Sequence, residues 1–285
     1  MTPCQFPPKP VTRRGYADGP FGQVHFQSFG EGIPLLLLHQ APMTSSQFDY
    51  VYEPLARRGL RAIGVDMPGF GGSDPTPDTP TIADYAQVVP AVLDALGLEK
   101  AAILGHHTGA LAATEAAVLF PSRVSALVIN GPLLVDEAGL REFMEGLHKS
   151  EKAFHAEPEA RHIVHIFKVR DWMAKGAIPP ERLTDYAVQA LAGRGAYWWG
   201  HHAAFTYDQA ARLPLVTQPA LILTNTGDVI HDHAPAAHAL RPDFAYAALE
   251  GSGVDIVDEQ PEVWAEAVAA FLASLGNGLL ADSPA

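Results

Sequence analysis

Ile103-Leu104-Gly105-His106-His107-Thr108-Gly109-Ala110-Leu111 is the stretch whose reading decides the fold. The apolar run Ala101 to Leu104 stops at Gly105. Four residues later Gly109 opens an Ala- and Leu-rich segment that predicts a helix as far as Phe120. A strand, a tight turn and a helix in that order present one side chain at the apex between the two glycines. Here that side chain is His107.

Outward from this turn the same grammar repeats. Ile33 to Leu38, Ala62 to Val65 and Val124 to Ile129 are short continuous apolar runs, the pattern of strands buried on both faces. Tyr16 to Phe29 reads as a hairpin turning at Asp18-Gly19. Helices are expected from Ser45 or Ser46 to Arg58, and from Thr81 to Leu96 with Ile82, Tyr85, Val89, Val92, Leu93 and Leu96 on one face. From Asp136 to about Leu213 the pattern is helical, rich in aromatics and histidines, and holds no convincing buried strand. Strands return at Ala220 to Thr224 and Phe244 to Leu249, with a short helix Pro235 to Leu240 between them. Pro261 to Leu275 predicts a final amphipathic helix with Val263, Trp264, Ala267, Phe271 and Leu272 inward. The expected class is therefore α/β, a mostly parallel sheet flanked by helices with a helical insertion. The division is 1–134 for the first part of the core, 135–213 for a helical cap and 214–285 for the rest. Within these bounds, residues 1–12 read as a loose Pro-rich arm and Asn277 to Ala285 as a frayed tail.

Composition narrows the function classes. The chain has 285 residues, of which 48% are hydrophobic, enough for a sizeable core. A formal charge of −13 argues against nucleic acid and anionic membranes as partners. The single cysteine, Cys4, rules out an intrachain disulfide framework, and the N-terminus has no apolar signal core, so the expected location is the cytoplasm. A small-molecule substrate is the expected partner, and a homodimer is left open.

Five motifs then fall in a familiar order. They are His39-Gln40 after the first parallel strand, Asp66-Met67-Pro68-Gly69-Phe70-Gly71-Gly72-Ser73-Asp74, the turn Gly105 to Gly109, Thr226-Gly227-Asp228 after a late strand, and Gly251 to Asp255 with Glu259-Gln260-Pro261 behind it. Together they resemble the α/β-hydrolase fold family over roughly Phe21 to Leu275, with Gly105 to Gly109 similar to its nucleophile elbow. The resemblance implies an eight-stranded sheet, an inserted helical cap, an oxyanion hole built from the Gln40 and Thr108 amides, and Asp228 as the catalytic acid.

The departures sit at the chemistry. The apex carries His107 where the family has a nucleophile, and the last loop carries Val254 where the family has its histidine. A Ser–His–acid mechanism needs a hydroxyl and a base to deprotonate it, and neither is present at those positions. The residues instead offer His107 as a general base, with Asp228 orienting it, and no cofactor or metal is called for; the histidine spacings match no zinc motif. His39, Trp198, His202 and Val254 are the expected substrate contacts, with His201 as an alternative polar handle to His202. Asp255 is a candidate for a relocated acid. The expected activity is hydrolysis, or a lyase or isomerase reaction, of a small carbonyl-containing or aromatic compound. A catalytically silent binding protein on the same fold is the rival reading.

Overall fold

The computed structural model describes residues 8–276. Cys4, the first part of the expected N-terminal arm and the expected tail from 277 lie outside the described residues. Eight strands form one sheet: β1 (Arg13–Gly19), β2 (Gly22–Phe29), β3 (Ile33–Leu38), β4 (Leu60–Val65), β5 (Ala101–His106), β6 (Val124–Asn130), β7 (Ala220–Asn225) and β8 (Ala245–Leu249). Their order is β1-β2-β4-β3-β5-β6-β7-β8. β2 runs antiparallel to β1 and β4, and every other neighbour pair is parallel.

The central strands are apolar throughout because both faces are covered. Leu36, Leu38, Ile63, Val65 and Ile103 point into one core layer. Their neighbours Leu35, Leu37, Ala62, Ala102 and Leu104 point into the other, against Trp264 and Leu272 of the helix Pro261–Ser274. Each fully buried leucine contributes roughly 1.5–3 kcal/mol relative to exposure.

Several expected boundaries shift, each for a local reason. The helix expected from Thr81 to Leu96 is two, Ile82–Ala86 and Val88–Ala95. Pro90 cannot donate to the Ala86 carbonyl, so the ladder breaks at Gln87. Thr81 does cap the first of them, in a reciprocal box with Asp84. Thr44, not Ser45 or Ser46, caps the one-turn helix Ser45–Phe48, and a separate helix Tyr52–Ala56 follows. In the last helix Val263 is 49% exposed; Trp264, Ala265, Val268 and Leu272 are buried, and Ala267 and Phe271 pack against the same core partly buried.

Between β6 and β7 lie the helices Glu137–Ser150, Arg161–Ala174, Pro180–Leu191, Trp199–Phe205 and Gln209–Arg212, and no strand interrupts them. Arg182 ties this helical insert to the core. Its guanidinium reaches Asp258 at 3.1 Å and the carbonyls of Ser46 and Gln47 at 3.1 and 3.2 Å. No helix is long and apolar enough to cross a membrane among the described residues.

Candidate active site

The turn after β5 is as tight as its glycines allow. A Cβ on Gly105 would strike the Gly109 carbonyl, and one on Gly109 would strike the carbonyls of Leu38 and His39. Bare backbone at both positions lets the helix Thr108–Leu119 close directly onto the end of β5 and against β3. His107 takes up the strain at the apex, with φ 50° and ψ −112°. A non-glycine residue in such a conformation costs on the order of 1–3 kcal/mol, and it persists because the surroundings fix it. Its amide donates to the Asn130 carbonyl at 2.9 Å, and its own carbonyl accepts from Ala110 at 2.7 Å.

The imidazole finds the acid that the sequence motifs placed at the end of β7. His107 Nε2 lies 2.7 Å from Asp228 Oδ2. Asp228 also accepts from the Ile230 amide at 3.1 Å. Burial by itself would raise the Asp228 carboxyl, but the His107 charge and hydrogen bond outweigh it and hold it down at about 2. Space for the ring comes from Gly131. A Cβ there would stand 2.6 Å from His107 Cδ2 and 3.0 Å from Nε2, and the residue's φ of +73° suits glycine. The Cδ2–Nε2 edge therefore faces Gly131 and Asp228, and Nδ1 lies on the opposite edge of the ring.

His106 packs behind the elbow, fully buried, its ring edge-on to His107 at 4.6 Å. His106, His107 and Asp228 each bring one nitrogen or oxygen within 4.8 Å of the others, a spacing worth testing as a metal site. The hydrogen bonds around His106 do not suit a ligand. The Gln40 amide donates to Gln47 Oε1 at 2.9 Å, so the Gln47 amide nitrogen is the group that faces His106 Nδ1. His106 Nδ1 must then accept. Burial first, and the His107 charge second, hold this imidazole neutral, so its proton sits on Nε2. A protonated Nε2 has no lone pair for a cation. It is a buried donor with no partner among the described residues, in the field of Asp228.

The same Gln47 bond settles the amides on the other side of the elbow. The Gln40 N–H, expected as an oxyanion donor, is already spent on Gln47. The next amide, that of Ala41, is engaged as well and donates to Thr108 Oγ1 at 3.3 Å. Thr108 is the first residue of its helix, where an N–H has no intrahelical carbonyl to reach. The Gln40 side chain lines the cavity, its Nε2 buried with no partner among the described residues.

A cavity of about 430 Å³ lies between the elbow and the helical insert. From the core it is lined by His107, Thr108, Gln40, Val229, Ile230 and Val254, and from the insert by Glu151, His165, Arg170, Tyr197, His201 and Phe205, among others. Val254 is thus where the sequence placed it. Three other expected contacts are elsewhere. His39 is fully buried behind the loop, and its Nε2 accepts from the Met67 amide at 3.0 Å while Nδ1 faces the Gln40 carbonyl at 2.9 Å. Both ring nitrogens serve to hold the loop, and burial keeps the ring neutral. Trp198 lines a neighbouring cleft, with the Lys152 ammonium 4.3 Å over its ring. His202 packs edge-on against Trp198, away from the cavity.

Tyr197, His201 and Phe205 face the cavity in their place. His201 and Phe205, four residues apart on the helix Trp199–Phe205, share one of its faces, and Tyr197 lies in the turn before it. Burial and the nearby Glu151 push the Tyr197 hydroxyl up to about 12. Arg170, also missed in the sequence, is 6% exposed and pairs with Asp255, which accounts for the acid beside Val254. Its guanidinium lies 4.6 Å over the Tyr186 ring, and its Nε is buried with no partner among the described residues.

Comparison with known proteins places these features in context. The model of the alpha/beta hydrolase fold matches residues 33–168. The chain is 32% identical over 225 residues to 2-hydroxy-6-oxononadienedioate/2-hydroxy-6-oxononatrienedioate hydrolase 1 of Dechloromonas aromatica, covering 72% of this chain and 74% of that one. It is 37% identical over 114 residues to the hydrolase of similar name from Paraburkholderia phymatum, where it covers 38% of this chain and only 40% of the relative. With bifunctional epoxide hydrolase 2 of Mus musculus it shares 30% over 149 residues, 47% of this chain and 26% of that protein. Among solved structures, E-2-(acetamidomethylene)succinate hydrolase superposes with a TM-score of 0.77 at 20% identity, over 92% of this chain and 100% of that one.

Proposed function

This chain belongs to the α/β-hydrolase fold family, and from that premise we propose that it is an enzyme using His107 as a general base on a small carbonyl compound. Hydrolysis without a covalent intermediate is the favoured reaction, since its relatives are named hydrolases. The observation that carries the proposal is the 2.7 Å contact from His107 Nε2 to Asp228 Oδ2. In the usual arrangement the acid holds Nδ1 and leaves Nε2 free. Here the acid holds Nε2, so the lone pair is on Nδ1, the nitrogen nearer the elbow backbone. Asp228 fixes that tautomer and stabilises the imidazolium once a proton arrives.

A water activated by His107 Nδ1 would attack a carbonyl whose oxygen sits near the Thr108 amide. The positive end of the Thr108–Leu119 helix favours negative charge at the same place. The same groups serve an enolate as well as a tetrahedral alkoxide, so proton abstraction next to a carbonyl is within their reach. Because the apex has no hydroxyl or thiol, no acyl–serine or acyl–cysteine stage is available there.

The test is turnover of a panel of aryl esters and β-keto acids, with His107→Ala as control. Loss of at least 100-fold with the fold intact is the expected result. Unchanged turnover in His107→Ala refutes the base. Tight binding of panel compounds with no turnover by the wild-type protein favours the silent binding protein.

A further inference from the structure

A second carboxylate–imidazole pair faces the same cavity, from the helical insert. Glu151 follows the helix Glu137–Ser150, and its Oε1 lies 2.6 Å from His201 Nδ1 on the helix Trp199–Phe205. Both side chains line the cavity that holds His107, and they are 21% and 29% exposed. The His201 ring stacks on Phe205 at 5.7 Å and 12°, and Phe205 stacks on Phe143 at 4.8 Å. The imidazole plane is thereby held, with Nδ1 on the carboxylate and Nε2 as its remaining nitrogen. Glu151 Oε2 is buried with no hydrogen-bond partner among the described residues. An ion pair set among aromatic rings is a poor stability device, because the desolvation cost offsets the attraction. It is a good way to keep an imidazole protonated at the edge of a cavity.

We propose that His201, held by Glu151, is the second proton-transfer residue of this site, the acid that protonates the leaving group while His107 activates water. The proposal rests on the hydrolytic reading above. In the step, the water oxygen bonds to the carbonyl carbon and its proton goes to His107 Nδ1. The bond from that carbon to the leaving atom breaks, the electron pair stays with the leaving atom, and His201 Nε2 gives it a proton. One proton has entered at His107 and one has left at His201, and exchange with solvent restores both rings. An acid matters only when the leaving atom is basic. The substrate class this adds is therefore carbonyl compounds with poor leaving groups, such as alkyl esters and amides, in preference to activated aryl esters.

The surroundings agree with a protonated His201. Burial pulls the imidazole down, but the charge and hydrogen bond of Glu151 more than restore it, and the net direction is upward despite the Arg170 guanidinium. His165, Tyr197, Arg170 and His107 are the other titratable groups along this cavity, and Lys152 is turned away onto Trp198.

Two measurements on the full-length protein test the proposal. In the first, histidine ring NMR signals are titrated in wild type, Glu151→Gln and His201→Gln. The signal lost in His201→Gln should titrate above the ordinary imidazole range in wild type and fall back in Glu151→Gln. A wild-type His201 titrating at or below the ordinary value overturns the proposal. In the second, ethyl and 4-nitrophenyl esters of one acid are compared. His201→Gln should lose about 100-fold in kcat on the ethyl ester and less than 5-fold on the 4-nitrophenyl ester, whereas His107→Ala loses both. Equal losses on the two esters, or none, mean that the pair only pins the insert and overturn the acid role. If wild type cleaves neither ester, the hydrolytic reading fails and the acid role falls with it, while the titration still reports whether the pair exists.

Discussion

Replacing Asp228 by Asn keeps the shape of the site and removes one charge. Asp228 is buried, and its carboxyl is held at about 2 against an ordinary 3.8. A carboxyl depressed in the folded state stabilises the protein at pH values above its unfolded value. That contribution fades as pH falls through the folded value. Here the full contribution is about 2 kcal/mol, and it is complete by pH 5. Between pH 5 and pH 3 it should fall by about 1 kcal/mol, and the rest goes below that. The assay is urea unfolding of wild type and Asp228→Asn at pH 5 and pH 3. Groups that titrate alike in both proteins cancel in the double difference. The stability gap between the two proteins should narrow by about 1 kcal/mol on acidification. A gap that stays constant, or widens, refutes the claim that the contact with His107 holds the Asp228 carboxyl down in the folded protein. A constant gap would also remove the electrostatic basis for calling Asp228 the partner that stabilises an imidazolium.

Other outcomes follow from the same geometry. Gly131→Ala puts a Cβ 2.6 Å from His107 Cδ2 at a φ of +73°, so it should cost about 1–2 kcal/mol in thermal unfolding and displace the ring from Asp228, with turnover falling at least 10-fold. Gln47→Leu should free the Gln40 amide and unseat His106, and a stability loss of about 1–3 kcal/mol by chemical unfolding is expected for the two polar groups left buried. Arg182→Met should destabilise by about 3–5 kcal/mol, because Asp258 is left as an unpaired buried charge, and limited proteolysis should then cut the helical insert first.

The sequence by itself determined the sheet and the position of His107. Both are local matters. Strand runs such as Leu35 to Leu38 are apolar at every position because both faces are covered, and Gly105 and Gly109 are required wherever strand and helix close this tightly. Five motifs in the right order then identified the family resemblance. What the sequence could not determine is which groups meet. His107 and Asp228 are 121 residues apart, and only the parallel order β5-β6-β7 brings the two strand ends together. That the first-loop amides are engaged is also decided by tertiary contacts: the Gln47 side-chain carbonyl takes the Gln40 N–H, and Thr108 Oγ1 takes that of Ala41. The polar handle in the insert is likewise a matter of one residue. Gly200 lets its helix press against Ala41 and Phe70, and that contact fixes the rotation so that His201 and Phe205 face the cavity and His202 does not. A helix turns about 100° per residue, so a shift of one position moves a side chain off the face, and only tertiary packing sets that phase.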